Sequence, residues 1–163
     1  MKKRSVLKKI SGKIFLTVII FLFIAGKSYS QVNELKIGVD GFTCSLCAKG
    51  VEEEFKAMSF IKKVNSDISN SMFTLYFKKN SNIDINRIKD GVVDGGFTVR
   101  NINISATGTI QSNGNDYTLI TGNSPALKLN KVDGVFSDGD KVKISGKVNV
   151  NNFSVNVVKI NKL

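Results

Sequence analysis

Over residues 34–104 the spacing of hydrophobic side chains switches between two residues and three or four. The shorter period is typical of strands that bury one face, and the longer period is typical of amphipathic helices. Ser69-Asn70-Ser71 predicts a turn between two strands, and Gly95-Gly96 predicts the end of a helix. In chain order the pattern predicts a strand at 34–39, a helix at 45–58, strands at 60–68 and 72–77, a helix at 83–93 and a strand at 97–104. This βαββαβ order predicts a ferredoxin-like α+β domain, in which both helices cover one face of an antiparallel sheet.

After residue 104 the helical period disappears, and Gly, Asn, Ser and Asp become more frequent. Short alternating runs with turn residues between them predict strands at 106–111, 116–121, 126–129, 141–150 and 153–160. Five short strands in a segment of this length predict a small barrel or a compact sandwich. We therefore expect two unlike domains, at 31–104 and 105–163, of which the second is a small all-β barrel.

The first 30 residues have the composition of a secretory signal peptide. Six basic residues lie within 1–13, an almost wholly apolar run covers 14–25, and small residues stand at Ser28 and Ser30. We expect cleavage after Ser30 and a periplasmic or otherwise extracytoplasmic location. The alternative is an uncleaved segment that associates the chain with a membrane, but the apolar run is shorter than the ~20 residues that a spanning helix needs.

The predicted signal also carries much of the positive charge. The full sequence has 24 basic and 13 acidic residues, and seven of the basic residues but no acidic residue lie within 1–30. The remaining 17 basic and 13 acidic residues give a net charge of +4. This is an ordinary charge for a soluble domain, so the composition predicts no nucleic-acid partner.

Cys44 and Cys47 are the two cysteines of the chain, which has no histidine. They stand at the start of the predicted helix 45–58, where unpaired N–H groups and the helix dipole favour thiolates. Two thiolates without imidazole suit Cu(I) best, with Hg(II), Cd(II) or a shared Zn(II) as further candidates, because a structural Zn(II) site normally has four Cys or His ligands. A two-coordinate ion can accept a sulfur from a partner protein, and the motif has no base that could activate water. The pair therefore predicts capture of a metal ion, for buffering or for transfer to a partner protein, and no enzyme activity.

A Cys-x-x-Cys pair outside the cytoplasm permits two other functions. One is a thiol-disulfide oxidoreductase, and the other is a scaffold or adhesion module in which the cysteines form a permanent disulfide. One feature of the sequence argues against the oxidoreductase function. Thioredoxin-like folds place a cis-proline opposite the cysteines, whereas the single proline of this chain, Pro125, lies in the other predicted domain.

Two stretches of the first domain carry a likeness to a known family. They are Asp40-Gly41-Phe42-Thr43-Cys44-Ser45-Leu46-Cys47, followed by Val51-Glu52 and Phe55, and the later Asp94-Gly95-Gly96-Phe97. This part of the chain, about 33–104, resembles the heavy-metal-associated domain of copper chaperones, copper-pump N-terminal modules and periplasmic mercury-binding proteins. The resemblance implies a ferredoxin-like fold and a protein partner for metal transfer, either another Cys-x-x-Cys domain or a copper pump.

The same resemblance implies roles for individual residues. Cys44 and Cys47 would be the metal ligands, and Phe97 would be the aromatic residue of a loop beside the site. The family usually has Met where Phe42 stands, as a loop-packing residue that does not bind the metal. We therefore expect Phe42 to fill that place as an apolar plug.

The second predicted domain has a weaker resemblance of its own. The order of its strands and the Gly-Asp-x-Val-x-Ile-x-Gly-x-Val run at 139–148 resemble an OB-type barrel. Such barrels often bind oligonucleotides or sugars, but export would remove most nucleic-acid partners. We expect this barrel to act in protein docking or as a spacer.

Overall fold

The computed structural model describes residues 30–114 and 116–163. The predicted signal lies outside the described residues except for its last residue, Ser30. Within the described ranges, none of the helices is long and apolar enough to cross a membrane.

The described part of the chain contains two helices and eight strands. The helices are α1 (Ser45–Ala57) and α2 (Ile85–Val93). The strands are β1 (Gln31–Asp40), β2 (Ile61–Asp67), β3 (Met72–Phe77), β4 (Thr98–Asn113), β5 (Asp116–Ile120), β6 (Leu127–Asn130), β7 (Lys141–Val148) and β8 (Val155–Lys162). Both helices and the β2–β3 hairpin lie where the hydrophobic pattern predicts them.

The first four strands form an antiparallel sheet in the order β2-β3-β1-β4. Along β1, Leu35, Ile37 and Val39 are fully buried, as expected for a strand with a two-residue apolar period. Helix α1 contacts β2 and α2, and α2 contacts β4. The predicted α+β class is therefore confirmed, and the order of elements is the predicted βαββαβ.

Helix α2 ends at the predicted glycine pair. Gly96 has a φ of +81°, a left-handed conformation that glycine adopts without strain. Its N–H donates to the carbonyl of Val93 at 2.9 Å, and the N–H of Phe97 donates to the carbonyl of Val92 at 3.1 Å. These two bonds form a Schellman motif, which satisfies the last carbonyls of the helix and turns the chain toward β4.

The remaining strands close a small barrel. Its strand order is β4-β5-β6-β8-β7, and β7 pairs with β4 to close the ring. Strands β6 and β8 run parallel, while the other pairs of the barrel are antiparallel. The barrel alternative of the sequence analysis is therefore correct, and the sandwich is not.

Strand β4 belongs to both the sheet and the barrel. One edge pairs with β1 from Thr98 to Thr107, and the other edge pairs with β7 from Ile102 to Thr109. The prediction of separate strands at 97–104 and 106–111 was therefore wrong. The alternation of buried and partly exposed residues continues through that region without a turn, and the buried apolar residues of sheet and barrel form one cluster. The division into domains at 104 and 105 stays a prediction, and no break in the strand marks it.

A second connection holds the barrel to the start of β1. Asn123, in the loop between β5 and β6, is buried, accepts a hydrogen bond from the N–H of Val32 at 2.7 Å, and donates to its carbonyl at 3.3 Å. The N–H of Gly122 donates to the carbonyl of Ser30, and the N–H of Ile83 donates to that of Asn123. These hydrogen bonds hold the loop against the start of β1 and against the residues just before α2.

Candidate metal centre

The two cysteines lie where β1 gives way to α1. Strand β1 ends at Asp40, and Gly41, with a φ of +102°, turns the chain into the loop. Cys44 is the N-cap of α1, and its Sγ accepts a hydrogen bond from the N–H of Cys47 at 3.2 Å. A thiol thus occupies the capping position that Ser, Thr, Asp or Asn usually fills. The geometry is the predicted one, with the first cysteine before the helix and the second in its first turn.

Both cysteines are free and accessible. Cys44 is exposed and Cys47 is partly buried. Leu46, between them, has 77% of its surface exposed, so no part of the described protein covers the loop. A partner protein can therefore approach the sulfurs directly.

The surroundings of Cys47 favour its thiolate. The pKa of this thiol is lowered chiefly by the side-chain hydrogen bond from Cys44, and in smaller part by Thr43 and the backbone N–H groups of the loop. The Thr43 hydroxyl lies 4.0 Å from the sulfur. Partial desolvation acts in the opposite direction and does not cancel the lowering.

This arrangement predicts how the pH dependence of alkylation will respond to substitution. Because the Cys44 hydrogen bond lowers the pKa of Cys47, Cys44→Ala should raise that pKa and move the alkylation midpoint of Cys47 to higher pH. Thr43→Val should move it in the same direction by less. The rate of iodoacetamide reaction at Cys47, followed by peptide mass spectrometry from pH 6 to 10, measures both shifts. A midpoint that stays fixed in Cys44→Ala would contradict the assigned cause.

Four phenylalanines, one of them in the loop itself, pack together beneath the cysteines. The ring of Phe42 lies 4.7 Å from that of Phe97 and 5.9 Å from that of Phe73, the latter edge-on. Phe73 is fully buried and also meets Phe55 of α1 at 5.4 Å. Phe42 therefore occupies the packing position expected for it, and Phe97 lies beside the loop as the family resemblance implies.

Arg100 helps to position the loop that carries the cysteines, and no sequence pattern predicted this role. Its guanidinium donates to the carboxylate of Asp40 at 2.8 Å and to the carbonyl of Asn70 at 2.8 Å. The N–H of Val39 also donates to the carbonyl of Ser71 at 2.9 Å. The end of β1 is thereby held to the β2–β3 turn, which fixes the point where the loop that carries Cys44 begins.

An open groove of about 520 Å³ lies beside Cys47, between α1 and α2. We call it the helix groove. Its lining residues are Cys47, Gly50, Val51 and Glu54 from α1, Arg87 and Gly91 from α2, and Asp94, Gly95 and Phe97 after α2. No sequence pattern predicts it, because it depends on how the two helices pack.

The donor set suits a soft ion. In the described ranges, no cluster of three or more His, Cys, Asp or Glu side chains could hold a metal. Cys44 and Cys47 alone therefore offer two sulfurs, which match the low coordination number of Cu(I), whereas Zn(II) would need further ligands from another molecule.

Comparisons with known proteins give a partial likeness among solved structures. No family model and no curated protein matches the chain. Among solved structures, a copper transporter domain from yeast, determined in solution in its apo and Cu(I)-loaded states, matches with 21% identity and a TM-score of 0.37. The match covers 44% of this chain and 92% of the yeast domain.

Proposed function

We propose that this protein is an exported carrier of a soft metal ion, which binds Cu(I) between Cys44 and Cys47 of a ferredoxin-like, heavy-metal-associated domain. The observation that best supports the proposal is the position of the two cysteines at the start of α1. Cys44 caps α1 with its sulfur 3.2 Å from the N–H of Cys47, and both thiols are free at an accessible edge. Thiolates are stabilised at a helix N-terminus, and two of them can hold Cu(I) at its low coordination number.

The proposed role is capture and transfer, and we expect no enzymatic activity. A two-coordinate ion at an exposed loop can gain a sulfur from the cysteine pair of a partner before it leaves the first two, so it moves without becoming free. The proposed partner is another Cys-x-x-Cys domain or a copper pump. The proposed location is extracytoplasmic, after cleavage following Ser30, and it rests on the composition of the N-terminal segment.

A competitive Cu(I) titration of the reduced mature chain tests the proposal. The protein competes for Cu(I) with a chromophoric chelator under anaerobic conditions, beside a Cys44→Ser, Cys47→Ser double variant. We expect the wild-type chain to withdraw Cu(I) from the chelator at one ion per chain and the double variant to withdraw none. Equal competition by the two proteins would refute the proposed function.

One observation favours a second candidate, a thiol-disulfide oxidoreductase. The lowered pKa of Cys47 is also what an attacking thiol needs in disulfide exchange. Reduction of a model disulfide peptide at a rate far above that of a free dithiol, together with weak Cu(I) binding, would favour this candidate. A rate no greater than that of the free dithiol would remove it.

A further inference from the structure

The helix groove has a size and shape that the proposed function does not explain. Its volume of about 520 Å³ lies within the ~300–1,000 Å³ range of small-molecule sites. At Gly50, an added Cβ would meet nothing within 4 Å, so the missing side chain leaves space open. At Gly91, an added Cβ would lie 2.8 Å from Met58 Cε and 3.1 Å from Glu54 Cγ, so glycine there lets the Glu54 side chain lie across α2.

The groove contains charges of both signs. Arg87 Nη2 donates to Glu54 Oε1 at 2.7 Å, while Nη1 lies 4.0 Å from Asp94 Oδ2, which is longer than a hydrogen bond. Arg87 therefore keeps donors for a further carboxylate. The Asp94 side chain is 73% exposed and can accept from an ammonium group. One positive and two negative side chains favour a ligand that carries an ammonium as well as a carboxylate over one that carries only a negative charge.

Cys47, one of the two proposed sulfur ligands, lines one end of the helix groove. An ion held by two thiolates has room for a third soft donor, and among the described residues no third His, Cys, Asp or Glu side chain joins the two cysteines in a metal-binding cluster. A small ligand that binds in the groove beside Cys47 and carries a thiol can therefore reach the ion.

We propose that the helix groove binds a small zwitterionic aminothiol of the cysteine class, which adds a third sulfur to the ion at Cys44 and Cys47. The ligand's carboxylate pairs with Arg87, and its ammonium pairs with Asp94 and Glu54. Its thiol loses a proton to solvent as the sulfur–metal bond forms, and no atom is oxidised or reduced. This inference rests on the proposed Cu(I) function. The bound aminothiol would regulate metal transfer, because a ligand sulfur in the third coordination position of Cu(I) blocks the entry of a partner's sulfur.

The test titrates the Cu(I)-loaded mature chain with L-cysteine and follows the amide NMR signals of Gly50, Gly91 and Gly95. Gly50→Leu fills the groove without a backbone clash and should weaken L-cysteine binding at least tenfold. Lys49→Leu adds the same side chain at an exposed position outside the groove and should leave binding unchanged.

Two simpler thiols test the contributions of the ligand's carboxylate and its ammonium group separately. Arg87→Gln should weaken the binding of L-cysteine and 3-mercaptopropionate about three- to fivefold, as expected for a solvent-exposed ion pair, and should not affect cysteamine, which lacks the carboxylate. Shifts confined to residues 43–47, equal binding in Gly50→Leu and Lys49→Leu, or removal of Cu(I) without shifts in the groove would each overturn the inference while the Cu(I) function stands. Failure of the chain to bind Cu(I) before any thiol is added would overturn the proposed function and this inference with it.

Discussion

Cys44→Ser and Cys47→Ser, each made alone, are expected to weaken Cu(I) binding by roughly two to three orders of magnitude. Structural Zn(II) sites with four ligands reach about 10–16 kcal/mol in total, so one ligand contributes about 2.5–4 kcal/mol. The loss is at least as severe in a two-ligand site, because a single thiolate leaves Cu(I) without a chelate and a hydroxyl is a hard donor that the ion does not favour. Competition with a chromophoric chelator at fixed pH measures the change.

The matched control for this pair is Ser45→Ala, which lies between the two sulfurs in sequence and removes a hydroxyl that no described contact uses. Its affinity should equal that of the wild-type chain. We also expect the Cu(I) affinity of the double cysteine variant to be only slightly lower than that of either single variant, since the first substitution already destroys the chelate. A single variant that keeps wild-type affinity would mean that the ion is held elsewhere.

The placement of the cysteines could be predicted because it depends on local chemistry. A loop after a short strand, a residue able to cap a helix, and apolar residues at helical spacing after it are all visible along the chain. The structure adds only that the cap is a sulfur, 3.2 Å from the N–H of Cys47. The same local reasoning located the end of α2 at Gly95-Gly96, where the Schellman bonds form.

Contacts between distant segments could not be predicted in this way. The Arg100–Asp40 pair joins residues 60 positions apart, and it follows from the antiparallel register that sets Asp40 opposite Thr98. The helix groove likewise depends on Gly50 and Gly91 lying on facing helices, which neither helix reveals alone. Register and packing are three-dimensional properties, and single-segment periodicity does not contain them.

The merging of two predicted strands into β4 has the same origin. The composition shift after Ile104 is real, but it lies within residues 102–107, which pair with both β1 and β7, so it marks no break in the strand. In the sheet β4 contacts α2, in the barrel it pairs with β5 and β7, and the buried residues of both parts form one cluster. A change in what a strand packs against alters composition without requiring a turn.

This shared strand leads to the second large expected effect. Ile104 has 2% of its surface exposed and stands opposite Leu35 of β1 on one side and Gly146 of β7 on the other. Ile104→Ala should lower the free energy of unfolding by about 2–5 kcal/mol, because it removes buried methyl groups and leaves a cavity at the junction. For a chain of this size that corresponds to a fall in melting temperature of roughly 5–15 °C.

The wild-type protein and the Ile104→Ala variant should each unfold in a single transition, since residues 102–107 of β4 pair with both neighbours and cannot leave one without exposing the other. Guanidinium titration with two probes tests this. Circular dichroism at 222 nm reports α1 and α2, which lie outside the barrel, while amide signals of β6 and β8 report the barrel itself. Val158→Ala is the control, because Val158 is 74% exposed on β8, and its stability should change by less than ~0.5 kcal/mol. Two separated unfolding midpoints would show that the sheet and the barrel unfold as independent units. That result would contradict the expectation that the hydrogen bonds of the shared strand β4 couple their unfolding.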